Sequence, residues 1–231
     1  MSDLPNISIV TILRDWPQFH TLCKHHWDTI DYPKDKLEWI LIDDSKTDHS
    51  DNIPIHENIL YIRVSSDEYL EKIEFPKDNE KHIWNYYQSV SKLPNGFKRD
   101  YAVGLTSHDY IFHLDIDTIY QPKSIKRKLE FLQKHKLDCV YCKSMLCYDI
   151  YGQKIYKTEN KLHGYESTLF HKKSFWEKSG FKWSDIQHEA VSFYYNKGID
   201  RHMENYYDTI KILSTHNMNQ YQPKQVNIEN L

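Results

Sequence analysis

The sequence predicts an α/β fold in which a mainly parallel β-sheet is flanked by helices, with a small antiparallel extension in the C-terminal half. Two observations indicate the parallel part. Short apolar runs alternate with helical segments, and three of these runs end in polar clusters. From residue 139 to residue 171 the pattern changes to short strand-like pieces without a long helix, which indicates the antiparallel extension.

Three apolar runs in the first part of the chain are predicted to be strands. They are ISIVTIL at 7–13, EWILID at 38–43 and NILYIRV at 58–64. A helix is expected to begin at Pro17, because proline is favoured in the first turn, and to reach about Ile30.

A fourth strand begins at Tyr110 and leads into the sequence LDID. Helices are expected at 98–107 before it and at 123–136 after it. Ile125, Leu129 and Leu132 have the spacing of one helical face that packs on a sheet. The remaining predictions are helices near 82–90, 174–179 and 187–196, a turn at 151–153 and a last strand at 210–213.

The length of 231 residues predicts a single domain, with two smaller domains as the alternative. We divide this domain at residue 135, and we expect a second half at 136–220 and a loose polar tail at 221–231.

Charge and cysteine content exclude several classes of partner. A net charge of −3 is unlike that of general nucleic-acid or anionic-membrane binders, which favour a basic face. No apolar run approaches the ~20 residues of a membrane helix, and the N-terminus lacks a signal-peptide pattern. The four cysteines lack zinc-site spacing and indicate reduced thiols. We therefore predict a soluble, cytoplasmic protein without an integral membrane segment or a nucleic-acid partner.

Two aspartates, Asp115 and Asp117, directly follow the fourth strand. Carboxylates at positions i and i+2 of an extended chain point to the same side, and they are preferred ligands of Mg²⁺ or Mn²⁺. Alternatively, they are turn carboxylates that cap the next helix. Lys98 and Arg99 stand near a helix start, where backbone N–H groups favour anions; the alternative for these two is ordinary solvated charge.

The segment NGFKRDYAVGLTSHDYIFHLDIDTIYQPKSI, at 95–125, resembles the central block of family-2 glycosyltransferases. ISIVTILRD at 7–15 and EWILIDDS at 38–45 resemble the first two strands of that family, in the same order. The resemblance implies the Rossmann-like GT-A fold and a nucleotide-sugar donor, with a UDP-sugar favoured. It also implies that residues 1–135 bind the donor and residues 136–220 face the acceptor, a glycan or another hydroxyl compound.

The resemblance also implies roles for individual residues. Donor-binding residues would be Thr11 and Arg14 beside the base, Asp43 and Asp44 at the base and ribose, Lys98 and Arg99 along the nucleotide, and Asp115 at the ribose or metal. Asp117 would bind Mn²⁺ or Mg²⁺. Arg14 and Asp15 replace the tyrosine and asparagine that are more usual in the family.

The C-terminal half carries a looser resemblance. Residues 165–181 are similar to the family segment before its acidic motif, and HEAVSF at 188–193 occupies the place of that motif. Ala190 replaces the usual base, so Glu189 is the candidate base and Asp185 the alternate. His216, in STHNMN, is a candidate third metal ligand.

Together these features predict an inverting, metal-dependent sugar transfer. A GT-A domain that binds a nucleotide or glycan without turnover is the first alternative, because of Ala190. A haloacid dehalogenase-like phosphatase, suggested by HLDIDTI, ranks lower because its motif normally begins a domain. A sugar nucleotidyltransferase lacks support, since no glycine-rich phosphate loop follows the first strand.

Overall fold

The alternation of strands and helices produces two β-sheets. The computed structural model describes residues 4–65, 92–159, 164–185, 189–195, 197, 209–213 and 224–225. Its strands are β1 (Ile7–Leu13), β2 (Leu37–Asp43), β3 (Ile59–Arg63), β4 (Tyr110–His113), β5 (Thr118–Tyr120), β6 (Cys139–Val140), β7 (Ser144–Asp149), β8 (Lys154–Glu159), β9 (Phe170–Lys172), β10 (Thr209–Leu213) and β11 (Lys224–Gln225). The helices are α1 (Pro17–His20), α2 (Leu22–Thr29), α3 (Asn95–Gly104), α4 (Ser124–Lys134), α5 (Lys173–Lys178) and α6 (Glu189–Tyr195).

The larger sheet has six strands in the order β3-β2-β1-β4-β9-β6. The first four of these are parallel, and β1 lies between β2 and β4. Leu13 is in register with Asp43 at the ends of β1 and β2, and Val10 is in register with His113 at the end of β4. The carboxyl ends of the parallel strands therefore form one rim, where open α/β sheets bind their ligands.

The antiparallel extension is confirmed. Strand β9 is antiparallel to both β4 and β6, and a second sheet has the order β11-β8-β7-β10-β5. Strands β7 and β8 form a hairpin whose turn includes Gln153 at a φ of 50°. Because β4 belongs to the first sheet and β5 to the second, residues 114–117, which include both aspartates of LDID, connect the two sheets.

Both faces of the parallel sheet are covered, as this architecture requires. Trp39 and Leu41 of β2 point into a core shared with α2 and α4, where Trp27 stacks on Trp39 at 6.0 Å. Ile40 and Ile42 point to the opposite face, into a core with α3 and α6. Each residue of β2 is buried except Glu38, which is partly exposed.

The predicted elements agree with the structure to within a few residues. Ile125, Leu129 and Leu132 of α4 are buried, as their spacing predicts. The helix predicted from Pro17 is divided at Thr21, and Lys224–Gln225 form a short strand within the predicted loose tail. The helix predicted near 82–90 lies outside the described residues.

All four cysteines are buried and free, in line with the reduced thiols that their spacing indicates. Within the described part of the chain, no helix has both the length and the apolar character needed to cross a bilayer.

Gly96 in the first turn of α3 packs directly on the segment before α6. Its N–H group donates to the carbonyl oxygen of Asp185 at 2.9 Å, and an added Cβ atom would overlap the carbonyl oxygen of Lys182. By contrast, Gly104 at the end of the same helix has open space around the Cβ position.

We predict that Gly96→Ala lowers the free energy of unfolding by about 1–3 kcal/mol, because backbone must move to admit the methyl group. Gly104→Ala is the matched control and should be neutral or stabilising by up to about 1 kcal/mol. Urea unfolding followed by circular dichroism measures both values, and equal free energies for the two variants would contradict the close approach at Gly96.

Candidate functional site

Lys98 and Asp44 form a buried ion pair at the rim of the parallel sheet. The Lys98 Nζ atom is 2.7 Å from Asp44 Oδ1 and 3.0 Å from the carbonyl oxygen of Leu13. Burial lowers the pKa of Lys98 to about 8, although the neighbouring Asp44 carboxylate raises it. The pair joins α3 to the ends of β1 and β2, so Lys98 is not an ordinary solvated charge.

Arg99 is buried in the centre of the site and contacts both halves of the chain. Its Nε atom donates to Glu189 Oε1 at 2.6 Å, and its Nη2 atom donates to Asp115 Oδ1 at 2.8 Å. Burial lowers the pKa of Arg99, but the two carboxylates raise it well above its usual value. Arg99 therefore stays cationic and connects α3, the end of β4 and the start of α6.

Asp115 and Asp117 share a second cation, Lys211 of β10. The Lys211 Nζ atom is 2.5 Å from Asp117 Oδ1 and 3.4 Å from Asp115 Oδ2. Burial raises the pKa of Asp115, but Arg99 and Lys211 lower it by more, to about 2. The Tyr120 hydroxyl accepts the N–H group of Asp115 and donates to the carbonyl oxygen of Ser167, which holds this turn in place. Asp115 is therefore ionised at neutral pH.

The chemistry of this pair fits a hard divalent ion. Two carboxylates that face one cation form a partial ligand set for Mg²⁺ or Mn²⁺, whose remaining positions are commonly filled by water and substrate phosphates. In the structure the Lys211 ammonium group is the cation between them. No group of three or more metal-ligating side chains occurs among the described residues, and His216 lies outside them.

The remaining predicted donor-binding residues also lie at this rim, and several serve the fold. The Thr11 hydroxyl is fully buried, accepts from Trp39 Nε1 at 2.9 Å and donates to the carbonyl oxygen of Leu114. Asp43 accepts from the backbone of Ser45 and from the Tyr61 hydroxyl. Their contacts with a base and a ribose stay predictions.

Arg14 follows β1 and is partly exposed at the same rim. Its guanidinium group donates to Asn95 Oδ1 in the first turn of α3 and lies 5.2 Å from the centre of the Trp16 ring. The position beside an aromatic side chain is compatible with a contact to a nucleobase, which likewise stays a prediction.

Two acidic side chains of the C-terminal half, Glu189 and Glu166, lie near Arg99. Glu189 is almost fully buried, and the Glu166 carboxyl group accepts from the Ala190 N–H group at 3.4 Å. Burial and the nearby Glu189 carboxylate raise the pKa of Glu166 to about 8. Asp185 accepts from the Ser192 hydroxyl in α6. The structure thus connects Glu189 to Asp115 through Arg99, whereas Asp185 lies before α6 and contacts Ser192 of that helix.

Sequence reasoning missed Lys211, Glu166 and a buried histidine pair. His113 Nε2 is 3.0 Å from His171 Nε2, and Arg99 Nη1 is 3.3 Å from His113 Nδ1. Burial lowers the pKa of both histidines, that of His171 to about 3, so the pair is uncharged at neutral pH. One signal was available: a polar residue within an apolar strand, as His113 is, indicates a buried partner.

Comparisons with known proteins agree with this geometry. No protein-family model and no curated protein matches the sequence. Among solved structures, TarS from S. aureus in complex with UDP-GlcNAc is similar, with a TM-score of 0.56 and 14% sequence identity over 91% of this chain and 56% of the TarS chain. A mannosyltransferase from Pyrobaculum calidifontis, PcManGT, in complex with GDP-Man and Mn²⁺, is similar with a TM-score of 0.55 and 11% identity, over 92% of this chain and 57% of that one.

These similarities and the sheet order confirm the predicted GT-A fold. The chain spans a little over half of the length of each of the two structures. Sequence identity this low shows the fold alone, so the activity and the ligands rest on further argument.

We predict that Arg99→Met lowers the free energy of unfolding by about 3–5 kcal/mol, because it leaves two carboxylates without their buried cation. Lys126→Met, which removes the cation of a partly exposed ion pair with Asp31, should cost less than about 1 kcal/mol. Urea unfolding of both variants measures the difference, and similar costs would show that Arg99 does not support the fold.

The raised pKa of Glu166 predicts a pH dependence of stability. The folded chain keeps this proton up to about pH 8, whereas the unfolded chain releases it near the usual 4.5. The wild-type free energy of unfolding should therefore fall between these pH values through this group. Relative to the wild type, Glu166→Gln should gain melting temperature from pH 5 to pH 8, and the exposed Glu57→Gln should not. A difference that does not change with pH would contradict the buried proton.

Proposed function

We propose that the protein transfers a sugar from a nucleotide-diphospho-sugar to an acceptor hydroxyl group. The observation that carries the proposal is the position of Asp115 and Asp117, which directly follow a strand of the parallel rim in a GT-A fold. Structures of the same fold hold UDP-GlcNAc or GDP-Man with Mn²⁺. We favour a UDP-sugar as the donor, since the sequence resemblance and the TarS complexes point the same way.

The donor would lie along the rim of the parallel sheet. In this proposal Thr11 and Arg14 border the base, and Asp43 and Asp44 face the base and ribose. Lys98 and Arg99 lie against the nucleotide, and Asp115 contacts the ribose or the metal. Fixed cations at the rim favour an anionic ligand, although the net charge of the whole chain is −3. Because Lys98 and Arg99 are buried, they act on the diphosphate through their electrostatic field and by orienting the carboxylates with which they pair.

Mn²⁺ or Mg²⁺ would be held by Asp115 and Asp117, with His216 as the proposed third ligand. When bound, such an ion neutralises the charge that builds up on a departing diphosphate. The protein's own contribution is to keep Asp115 ionised and correctly oriented, through Arg99 and the Tyr120 hydroxyl.

The proposed transfer inverts the sugar carbon in a single displacement. The acceptor oxygen forms a bond to the anomeric carbon while the bond from that carbon to the diphosphate breaks, and the acceptor proton passes to a carboxylate. Glu189 is the proposed base, and Asp185 is the alternate. Arg99 fixes the position of Glu189 relative to Asp115, so one guanidinium group aligns the proposed base with the donor side of the site.

The acceptor is proposed to be a glycan or another hydroxyl compound, bound on the side of residues 136–220. We place the reaction in the cytoplasm, because four free cysteines suit a reducing compartment.

A binding domain without turnover is the second candidate function. Two observations favour it: the buried Ala190 stands where the family's base is expected, and Glu189 is engaged by Arg99. A phosphatase has less support, because the aspartate that would attack a phosphate, Asp115, contacts two cations through its two oxygens.

We predict that one or more nucleotide sugars raise the melting temperature of the protein in the presence of Mn²⁺. A ligand at a hundred times its dissociation constant stabilises a folded protein by about 2.7 kcal/mol, so a screen by thermal shift will identify the donor. With that donor, Asp117→Asn and Glu189→Gln should each lower transfer or donor hydrolysis at least a hundredfold, measured by release of the nucleoside diphosphate.

Asp138→Asn is the matched control, because Asp138 forms surface ion pairs on the far side of β9 and should leave turnover unchanged. Undiminished turnover by Asp117→Asn would overturn the assignment of the site. Donor binding without turnover for any acceptor would favour the binding domain, and hydrolysis of simple phosphomonoesters would favour the phosphatase.

A further inference from the structure

Lys211 reaches the metal motif from a strand far away in the sequence. Strand β10 is antiparallel to β5, with Lys211 in register with Thr118, and the N–H group of Ile212 donates to the carbonyl oxygen of Asp117 at 2.8 Å. The backbone of β10 is therefore hydrogen-bonded to the motif itself. This places the Lys211 side chain, which is 7% exposed, against the two carboxylates.

The ammonium group and a divalent ion would use the same oxygens. Lys211 Nζ contacts Oδ1 of Asp117 and Oδ2 of Asp115, whereas Arg99 takes Oδ1 of Asp115. A metal ion binds carboxylate oxygens at about 2.0–2.2 Å, closer than the ammonium nitrogen lies. An ion at these oxygens would therefore meet a like charge a few ångströms away in a site with little water to screen it.

The charges of these side chains explain why Lys211 lies against the two carboxylates. Asp115, Asp117 and Glu189 contribute three carboxylates, which are largely removed from water. Among the described residues, Arg99 alone would leave these three carboxylates with excess negative charge, which folded proteins avoid. With Lys211 in place, adding a divalent ion alone would leave excess positive charge. A nucleotide-sugar diphosphate carries two negative charges, so ion and donor together leave the balance unchanged.

We propose that the ammonium group of Lys211 occupies the position of the divalent metal ion as a counter-cation to Asp115 and Asp117. A metal ion then binds tightly only when the lysine is displaced or when the donor is bound as well. This inference rests on the proposed function for the identity of the metal and the donor. It adds a residue that controls the order in which the metal and the donor bind. Lys211 repels free Mn²⁺, and the donor diphosphate offsets that repulsion.

The test is a titration of the full chain with Mn²⁺ in the absence of nucleotide, followed by the electron paramagnetic resonance signal of the free ion. Lys211→Met keeps the length of the side chain and removes its charge, and it should bind Mn²⁺ at least tenfold tighter than the wild type. Lys211→Arg keeps the charge and should bind as weakly as the wild type. Lys24→Met is the matched control for loss of a positive charge at an exposed ion pair, and its Mn²⁺ affinity should equal that of the wild type.

Equal Mn²⁺ affinity of Lys211→Met and the wild type, or tight binding by Lys211→Arg, would overturn the proposal. If Lys211→Met does not fold, Lys211→Gln, which also removes the charge but keeps a polar end group, replaces it in the same titration. Mn²⁺ affinity of Lys211→Gln equal to that of the wild type would again overturn the proposal. Since the titration needs neither donor nor turnover, its result is independent of whether the protein proves to transfer a sugar.

Discussion

The buried guanidinium group of Arg99 is the contact on which the arrangement of the site depends. It joins α3 to the turn after β4 and to the first residue of α6, which are separated by long stretches of sequence. Burying an ion triad gains little stability over an apolar core of the same shape, and removing one member costs much more. The triad is therefore better explained by what it positions, namely a carboxylate of the metal motif and the candidate base.

The same pairing of a buried cation with a carboxylate recurs along the rim. Lys98 holds Asp44, Arg99 holds Asp115 and Glu189, and Lys211 holds Asp117, each within hydrogen-bonding distance. Each of these carboxylates is thus held in a fixed orientation by a neighbouring cation. Such preorganised groups stabilise a charged transition state without the reorganisation that water would require. In the proposed function, the same compensation would make the site selective, because a divalent ion would leave the charge balance unchanged only together with an anionic partner.

The C-terminal half departs most from the family that the sequence resembles. Ala190 lies in the apolar core with the rings of α6, so no carboxylate projects from that position. Glu189 contacts Arg99 and Glu166 lies near Glu189, and their environments differ: Glu189 is paired with a cation, and Glu166 has a pKa raised to about 8. Two carboxyl groups with different environments are a common basis for separate proton-transfer roles. The two glutamates differ because of the way the chain packs around Arg99 and not because of their residue type.

The sequence alone determined the strands of the parallel sheet, the inward face of α4 and the location of Asp115 and Asp117 after a strand. These features follow from local periodicity, because alternation along a strand and the spacing of a helical face involve neighbours within a few residues. Only the tertiary structure decided which charges meet. Arg99 and Glu189 are 90 positions apart, and Lys211 and Asp117 are 94 apart. Lys211 is a common surface residue type within a short strand, and it became part of the site only because β10 pairs with β5, a choice that no local pattern encodes.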